Sequence, residues 1–317
     1  MPVLNDLVEP LTTFLRDHPG ATVASFPHTL NVELLLSSLA VDQPFLNEAQ
    51  NLHNRALFVD VRAWLAQHVY EAQTRALARL LPEWLRLLVT AWHERQATVV
   101  TLNYDTLIEA AVMSMQLMGG ADQPIRVLPP HTYAFPIEGP PATWADVSGS
   151  KDVETFTLCK LHGSISWWGR ERGSAEPREV RLARGAFAPE GCASWDDVYK
   201  VGSAFGEPLL VPPTLTKSDH FDSYMLRSNW RRAFEGLRQA SRIFVLGYSF
   251  PLGDTQMVAL LGTTMRDTLV TVVDINRADV VRRTLEAYGT RSTRVTGFSE
   301  SPSEPIRAFA ERYARYR

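Results

Sequence analysis

The chain has 317 residues, 45% of them hydrophobic, and a formal net charge of −3 at pH 7. Its apolar content is sufficient for a large buried core, and its length allows one elaborated domain or two. The small negative charge provides no field that would attract nucleic acid. No run of about 18 apolar residues occurs, and the N-terminus lacks the basic and then apolar pattern of a signal peptide. The sequence therefore predicts no nucleic-acid partner, no membrane partner and a cytoplasmic location, with which two separate cysteines agree.

The first part of the chain has helical periodicity. Apolar residues recur at helical spacing over 5–17, over 31–39 and from 52 to about 95, with a break expected at Pro82. Leucines and tryptophans at this spacing are typical of a packed core. The sequence thus predicts a helical block over about 25–95.

From residue 97 onward, β-type runs alternate with helical ones. Strands are predicted over 97–100, 156–158, 243–246, 269–273 and 294–298, and helices over about 220–240, 255–266, 277–288 and from 305. A loop-rich insertion is predicted over about 135–215, and its charged, aperiodic part at 169–191 is expected to be a mobile surface segment. Long crossovers favour parallel pairing. We therefore expect an α/β fold in one domain over 1–317, a Rossmann-like doubly wound parallel sheet with strands in about 97–161 and 242–298 and a helical insertion block.

Short polar motifs follow the predicted strands. TLNYD (101–105), KLHGS (160–164) and GYSF (247–250) each come after an apolar run, and Asp274 and Asn276 follow another. Parallel strands of such a sheet bring their carboxyl ends to one edge, where ligands bind. The sequence therefore predicts one shared crevice.

These motifs resemble those of the sirtuins. The Thr-Gln-Asn-Ile-Asp, His-Gly and Gly-Thr-Ser patterns of that family match, in order, Asn103 and Asp105, His162 and Gly163, and Gly247 and Ser249. The longer segments TLNYDTLIE, KLHGSISWW and GYSFPLGD resemble the prokaryotic sirtuin-like domains of NAD-consuming phage-defence proteins more closely than they resemble protein deacylases. NVELLLSSL (31–39) also resembles a helical segment that those domains carry early in the chain. The resemblance covers about residues 1–280 and implies NAD as the substrate.

Two features depart from the family pattern. Sirtuin deacylases hold a structural zinc with two cysteine pairs, whereas Cys159 and Cys192 lie far apart and without partners at zinc-site spacing. The family also opens with a strand and a Gly-Ala-Gly-x-Ser loop around the NAD pyrophosphate. Nothing in this sequence fits that loop, and MPVLNDLVEPL resembles the segment that follows it. We expect either a start placed too far downstream or a shortened relative.

The resemblance assigns the chemistry to two residues. Cleavage of the bond between nicotinamide and ribose requires a placed nucleophile and a base, because nicotinamide leaves as a neutral molecule. His162 is the candidate base, since histidine titrates near neutrality, and the alternative is a core histidine bonded to a backbone carbonyl. Asn103 is the candidate for holding a water or the ribose hydroxyls, and the alternative is an asparagine that only forms a turn.

Binding roles are expected at the remaining strand ends. Asp105 could orient the ribose or the nicotinamide amide, or it could cap the helix after it. The other candidate NAD-binding residues are Gly163, Gly247, Ser249, Asp274 and Asn276. For Asp274 and Asn276, turn formation is the alternative. Asp254 is expected to be a helix N-cap.

Two further expectations concern Trp167, Trp168 and the histidines. The two tryptophans could wall the nicotinamide pocket, although adjacent strand residues face opposite ways, so at least one is expected to pack in the core. Because the histidines and cysteines show no metal-ligand spacing, no metal is predicted.

Two functions from different classes follow. The first is an NAD+ glycohydrolase that releases nicotinamide and ADP-ribose, with a role in anti-phage defence and either a partner protein or self-association implied by the resemblance. The second is a regulatory module that binds NAD or ADP-ribose without turnover, which the missing glycine loop favours. A protein deacylase is third, since the zinc module that helps form its peptide cleft is absent.

Overall fold

The computed structural model of the chain describes residues 7–17, 32–119, 123–135, 153–169, 180–182, 194–204, 206–214, 223–248, 254–265, 268–274, 278–287, 295–298, 300–301 and 303–315. The helices are α1 (Val8–Arg16), α2 (Val32–Ala40), α3 (Glu48–Leu77), α4 (Glu83–Glu94), α5 (Leu107–Met113), α6 (Pro129–Thr132), α7 (Trp195–Gly202), α8 (Tyr224–Gln239), α9 (Thr255–Thr264), α10 (Ala278–Ala287) and α11 (Pro305–Arg315). The strands are β1 (Thr98–Thr101), β2 (Leu117–Met118), β3 (Pro124–Ile125), β4 (Thr157–Lys160), β5 (Gly163–Gly169), β6 (Arg181–Leu182), β7 (Glu207–Leu210), β8 (Arg242–Leu246), β9 (Leu269–Val273) and β10 (Val295–Gly297).

The N-terminal helices bury one apolar face each. Leu35 and Leu39 of α2 are almost fully buried in a cluster with residues of α1 and α3. Helix α3 begins at a capping box in which Asn47 Oδ1 accepts the Gln50 N–H at 2.9 Å. The predicted break is confirmed, because α3 ends at Leu77 and Pro82 is the N-cap residue of α4. Proline is tolerated there because the first helical turn needs no N–H from it.

The predicted parallel pairing is confirmed. Strand β1 pairs with β4 from Thr98↔Thr157 to Thr101↔Lys160. Strand β9 pairs with β8 on one edge and with β10 on the other, and all three strands are parallel. The class is therefore mixed α/β with parallel sheets. The described parallel strands, however, form two separate sheets rather than one continuous sheet. They therefore do not confirm the predicted doubly wound arrangement.

Helices cover both faces of the β8–β9–β10 sheet. Val270 and Val272 of β9 are buried with α8 and α9 residues, whereas Val273 is buried with Leu88 of α4 and Phe309 of α11. This alternation follows from the two-residue period of a strand. Such coverage explains why β9 is an almost continuous apolar run. None of the described helices combines the length and the apolar character needed to cross a membrane.

An antiparallel sheet lies within the segment that the sequence predicted to be loop-rich. Strand β5 pairs with β6 and with β7, and every residue of β5 is buried. Trp167 and Trp168 are both buried and contact other aromatic rings, so the expectation that at least one of them packs in the core is confirmed for both. Most of the predicted mobile segment, at 170–179 and 183–193, lies outside the described residues.

Candidate active site

The ends of β1 and β4 lie side by side. Their last paired residues are Thr101 and Lys160, so Asn103 and His162 each follow two residues after the ladder ends. Tyr104, the residue after Asn103, is hydrogen-bonded to β5. Its carbonyl oxygen accepts the Ile165 N–H at 3.0 Å. The TLNYD and KLHGS motifs therefore meet, as the sequence predicts for parallel strand ends.

His162 is buried beside an aspartate from a third segment. Its side chain is 8% exposed, and its Nε2 lies 3.9 Å from Asp254 Oδ1. The other oxygen of Asp254 accepts a hydrogen bond from the Tyr248 hydroxyl at 3.1 Å. Asp254 does occupy the N-cap position of α9, but its side chain makes no capping hydrogen bond. The predicted N-cap position of Asp254 is therefore confirmed, whereas its carboxylate does not cap the helix and lies beside the histidine.

Two half-buried tyrosines lie near this pair. Burial, followed by the charges of Asp254 and Glu33, raises the pKa of Tyr104 well above its ordinary value. The pKa of Tyr248 is raised by the same causes and by its hydrogen bond to Asp254. Both hydroxyls therefore stay protonated at neutral pH and serve as hydrogen-bond donors. The negative charge of Glu33, at the start of α2, contributes to both of these pKa shifts.

The side chains of Asn103 and Asp105 differ in burial and in their hydrogen bonds. Asn103 is exposed, and its side-chain amide makes no hydrogen bond to a described residue, while its N–H donates to Thr101 Oγ1 at 3.1 Å. That amide is thus available to a ligand. Asp105 is buried, and its Oδ1 accepts the Leu107 N–H at 3.0 Å. Of the two roles expected for Asp105, the geometry shows the capping one.

A buried ion pair that the sequence did not reveal supports these motifs. Lys160 Nζ lies 2.9 Å from Glu109 Oε1, and both side chains are 1% exposed. The same ammonium donates to the Asp105 carbonyl, and Tyr133 donates to Glu109 Oε1 at 3.1 Å. The only sequence signal was the position of Lys160 within KLHGS, two residues before the candidate base.

Gly163 and Gly247 both have left-handed backbone conformations, with φ of 82° and 60°. A Cβ on Gly163 would lie 1.9 Å from the Leu209 carbonyl oxygen, so glycine is required there by the contact of β5 with β7. A Cβ on Gly247 would meet only Ile306 at 3.4 Å. Gly247 is exposed at the end of β8, where backbone can approach a ligand closely.

Asp274 lies at the end of β9 and shares a cavity with Gly247. The cavity has a volume of about 620 Å³, and Pro305 and Ile306 also line it. A second cavity of about 1600 Å³ is lined by Asn103, Asp105 and Gly247. Strand ends carrying predicted site residues therefore open onto shared space. Ser249 and Asn276 lie outside the described residues, so their binding roles stay predictions.

In the described part of the chain, no group of three or more histidine, cysteine, aspartate or glutamate side chains could hold a metal ion. Cys159 is buried in β4, and burial raises the pKa of its thiol to about 12. This thiol is therefore neutral at pH 7 and is part of the core rather than a nucleophile.

The family model described as a SIR2-like domain matches residues 97–268, which is more than half of the chain. The matched region begins one residue before β1 and contains the TLNYD, KLHGS and GYSF motifs together with Asp254. No curated protein matches the sequence. SIR2-like domains use NAD. With its motifs joined at the ends of parallel strands, this chain belongs to the SIR2-like domain family.

Proposed function

We propose that the protein is an NAD+ glycohydrolase that releases nicotinamide and ADP-ribose. The observation that carries the proposal is the buried His162, with Asp254 beside it, at the strand end next to the exposed amide of Asn103. A histidine oriented by a carboxylate is suited to act as a general base. Membership of a family that uses NAD supplies the substrate.

The proposed reaction is an attack of water on the ribose. The water oxygen bonds to C1′ as the bond from C1′ to the nicotinamide nitrogen breaks, and that electron pair neutralises the pyridinium. His162 takes the proton of the water, and the nearby Asp254 carboxylate stabilises the imidazolium that forms. Asn103 aligns the water or the ribose hydroxyls through its amide. The single positive charge of the pyridinium is thus replaced by that of the imidazolium, and the neutral leaving group needs no acid.

The remaining candidates hold the dinucleotide. In this proposal Gly247 offers backbone at the end of β8, and Asp105, Gly163, Ser249, Asp274 and Asn276 contact the ribose and adenosine parts. The resemblance to phage-defence domains supports a role in anti-phage defence, in the cytoplasm, with a partner protein or a second copy of the chain.

A second candidate function is a module that binds NAD or ADP-ribose without turnover. It is favoured by the breadth of the opening beside the site, since Asn103, Asp105 and Gly247 line a cavity of about 1600 Å³. Ligand sites are usually smaller, at about 300–1,000 Å³. A site this open excludes water poorly, which suits binding better than a controlled hydrolysis.

Nicotinamide release by His162→Ala tests the proposal. Loss of a general base should lower turnover by roughly 100-fold to 10,000-fold, while thermal unfolding shows that the fold is intact. His53→Ala, which removes an exposed histidine of α3, is the matched control and should retain full activity. Turnover of the His162 variant within a few-fold of the wild type would remove this residue from the mechanism.

Asn103→Ala separates catalysis from binding. We expect it to lose turnover to a similar degree and to keep most of its affinity for ADP-ribose, as measured by calorimetry. A proportional loss of affinity and turnover would make Asn103 a binding residue only. Binding of NAD by the wild-type protein without any nicotinamide release would favour the second function.

A further inference from the structure

The Tyr104 side chain connects the TLNYD loop to the end of β7. Its hydroxyl donates a hydrogen bond to the carbonyl oxygen of Val211, which lies 107 residues further along the chain. Val211 follows β7 directly and is fully buried. A buried carbonyl group needs a hydrogen-bond donor, because leaving it unpaired destabilises the fold. The Tyr104 hydroxyl supplies such a donor.

The sequence after Val211 explains why its pairing stops there. Pro212 and Pro213 follow, and proline has no N–H to donate. The Thr214 N–H donates to the Pro212 carbonyl oxygen at 2.8 Å. The Val211 N–H, which donates to the His162 carbonyl oxygen at 2.9 Å, is therefore the last N–H of this described segment that bonds toward β5.

The candidate base is held by contacts that all involve Tyr104. The His162 carbonyl is bonded to Val211, whose own carbonyl is bonded to the Tyr104 hydroxyl. Ile165, three residues after His162, donates its N–H to the Tyr104 carbonyl oxygen at 3.0 Å. The Ser164 hydroxyl donates to the same oxygen at 3.3 Å. Hydrogen bonds thus connect Tyr104 both to the residue that holds the His162 carbonyl and to the strand that follows His162.

Tyr104 also lies next to both side chains of the proposed mechanism. Its ring centroid is 6.4 Å from that of the His162 imidazole, and the two ring planes are inclined by 30°. Asn103 precedes Tyr104 in the chain, so its amide moves with the Tyr104 backbone. A shift of Tyr104 relative to β7 would therefore change the position of the Asn103 amide relative to the imidazole.

We propose that Tyr104 is a positioning residue for the two candidate catalytic side chains, those of His162 and Asn103. Its hydroxyl, by holding Val211, fixes the distance and the angle between them. The inference rests on the proposed hydrolysis, since it concerns the alignment of the groups that perform that reaction. Such groups must be held within about 0.5 Å of their productive geometry, and a displacement of about 1 Å can lower turnover about 100-fold.

The hydroxyl of Tyr104 holds Val211 as a donor and transfers no proton to the substrate. Burial, followed by the charges of Asp254 and Glu33, raises its pKa well above the ordinary value for tyrosine. It therefore stays protonated at neutral pH and keeps its hydrogen bond across the range in which His162 titrates.

Tyr104→Phe tests the hydroxyl alone, because the ring and its packing remain. We expect kcat for nicotinamide release to fall at least about 10-fold, while KM for NAD and the affinity for ADP-ribose stay within about 3-fold of the wild type. Tyr199→Phe removes a hydroxyl from an exposed residue of α7, and this matched control should keep kcat unchanged. An unchanged kcat in Tyr104→Phe, or a proportional loss of affinity and turnover, would overturn the proposal.

A double-variant cycle with His162→Ala separates positioning from a general loss of stability. If Tyr104 acts by aligning the imidazole, Tyr104→Phe should change turnover less than about 2-fold once the imidazole is absent. Single-turnover assays with excess protein measure these low rates. An equal loss in both backgrounds would show that Tyr104 acts independently of His162, which contradicts the proposal.

Restoring the donor provides a second variant. Para-aminophenylalanine in place of Tyr104 carries an N–H donor at the same ring position, so kcat should lie within about 3-fold of the wild type. This variant keeps a partner for the buried Val211 carbonyl, so it serves also if Tyr104→Phe does not fold. A folded protein with this donor and a kcat as low as that of Tyr104→Phe would show that the bond to Val211 does not set the rate.

Hydrogen exchange tests the contact without any turnover. In Tyr104→Phe the Val211 amide, which donates to His162, should exchange at least about 10-fold faster than in the wild type. The Phe298 amide, which donates to Val272 O at 2.8 Å, should be unchanged and shows that the variant is folded. Unchanged exchange at Val211 would mean that the hydroxyl does not hold this segment, and the proposal would then be wrong.

The exchange result also separates this proposal from the function on which it rests. Faster exchange at Val211 in Tyr104→Phe, in a protein that releases no nicotinamide, would refute the hydrolase and leave Tyr104 as the residue that holds the His162 segment. Unchanged exchange in a protein with normal turnover would refute only the role of Tyr104.

Discussion

At the scale of single residues, the two left-handed glycines make distinguishable contributions. Gly163→Ala places a Cβ against the Leu209 carbonyl and should destabilise the fold by about 3 kcal/mol or more, from left-handed strain and overlap together. Gly247→Ala introduces only the left-handed backbone strain, so it should lower the free energy of unfolding by about 1–2 kcal/mol. Urea unfolding of both variants measures the difference. Equal costs would mean that β5 and β7 separate easily.

Asp254 is the residue whose role changed most between sequence and structure. Asp254→Asn keeps the shape of the side chain but removes the charge that faces His162. We expect nicotinamide release to fall at least about 10-fold, since a carboxylate beside a catalytic histidine is worth up to about 10⁴-fold. Tyr248→Phe removes only the hydroxyl that donates to Asp254 and should have a smaller effect. The reverse order would make the tyrosine the more important group.

At the scale of elements, the Lys160–Glu109 pair connects β4 to α5. Lys160→Met leaves Glu109 buried without its partner and should destabilise the protein by about 3–5 kcal/mol. The double variant Lys160→Met with Glu109→Leu should be more stable than Lys160→Met alone, because no buried charge is left. Chemical denaturation of the single and double variants measures the coupling.

The surface pair of Arg55 and Asp42 provides the control. Both side chains are about half-exposed, so Arg55→Met should change the denaturation midpoint little. If Arg55→Met and Lys160→Met lower the free energy of unfolding by similar amounts, the Lys160–Glu109 pair is not the buried connection described above.

At the scale of the whole molecule, stability should decline in mild alkali. Burial raises the pKa of Cys159 from 9.0 to about 12, so above pH 9 the unfolded chain loses this proton while the folded chain keeps it. The unfolded state then binds fewer protons, and the free energy of unfolding falls as pH rises. By pH 10, one unit above the ordinary thiol pKa, the loss should be about 1.4 kcal/mol.

Cys159→Ala isolates this contribution. Its free energy of unfolding should fall less than that of the wild type between pH 8 and pH 10, whatever its absolute stability. Parallel pH profiles for the two proteins would show that the thiol does not ionise on unfolding in this range.

The elements themselves were largely predictable. Strand β9 has the predicted bounds, and β1, β8 and α11 differ from prediction by two residues or fewer. These elements are recognisable because hydrophobic periodicity is a local property. Strands β5 and β7 escaped prediction, since their neighbourhood is rich in glycine and charge, and their pairing is non-local.

The sequence by itself determined the order of strands and helices and the position of TLNYD, KLHGS and GYSF after strands, because turn residues and apolar runs act over a few residues. Only the tertiary structure decided which groups meet. It brought Asp254 to His162 and Lys160 to Glu109, and it assigned capping to Asp105. The physical reason is that these contacts join distant segments, and their geometry is set by helix and sheet packing rather than by local pattern.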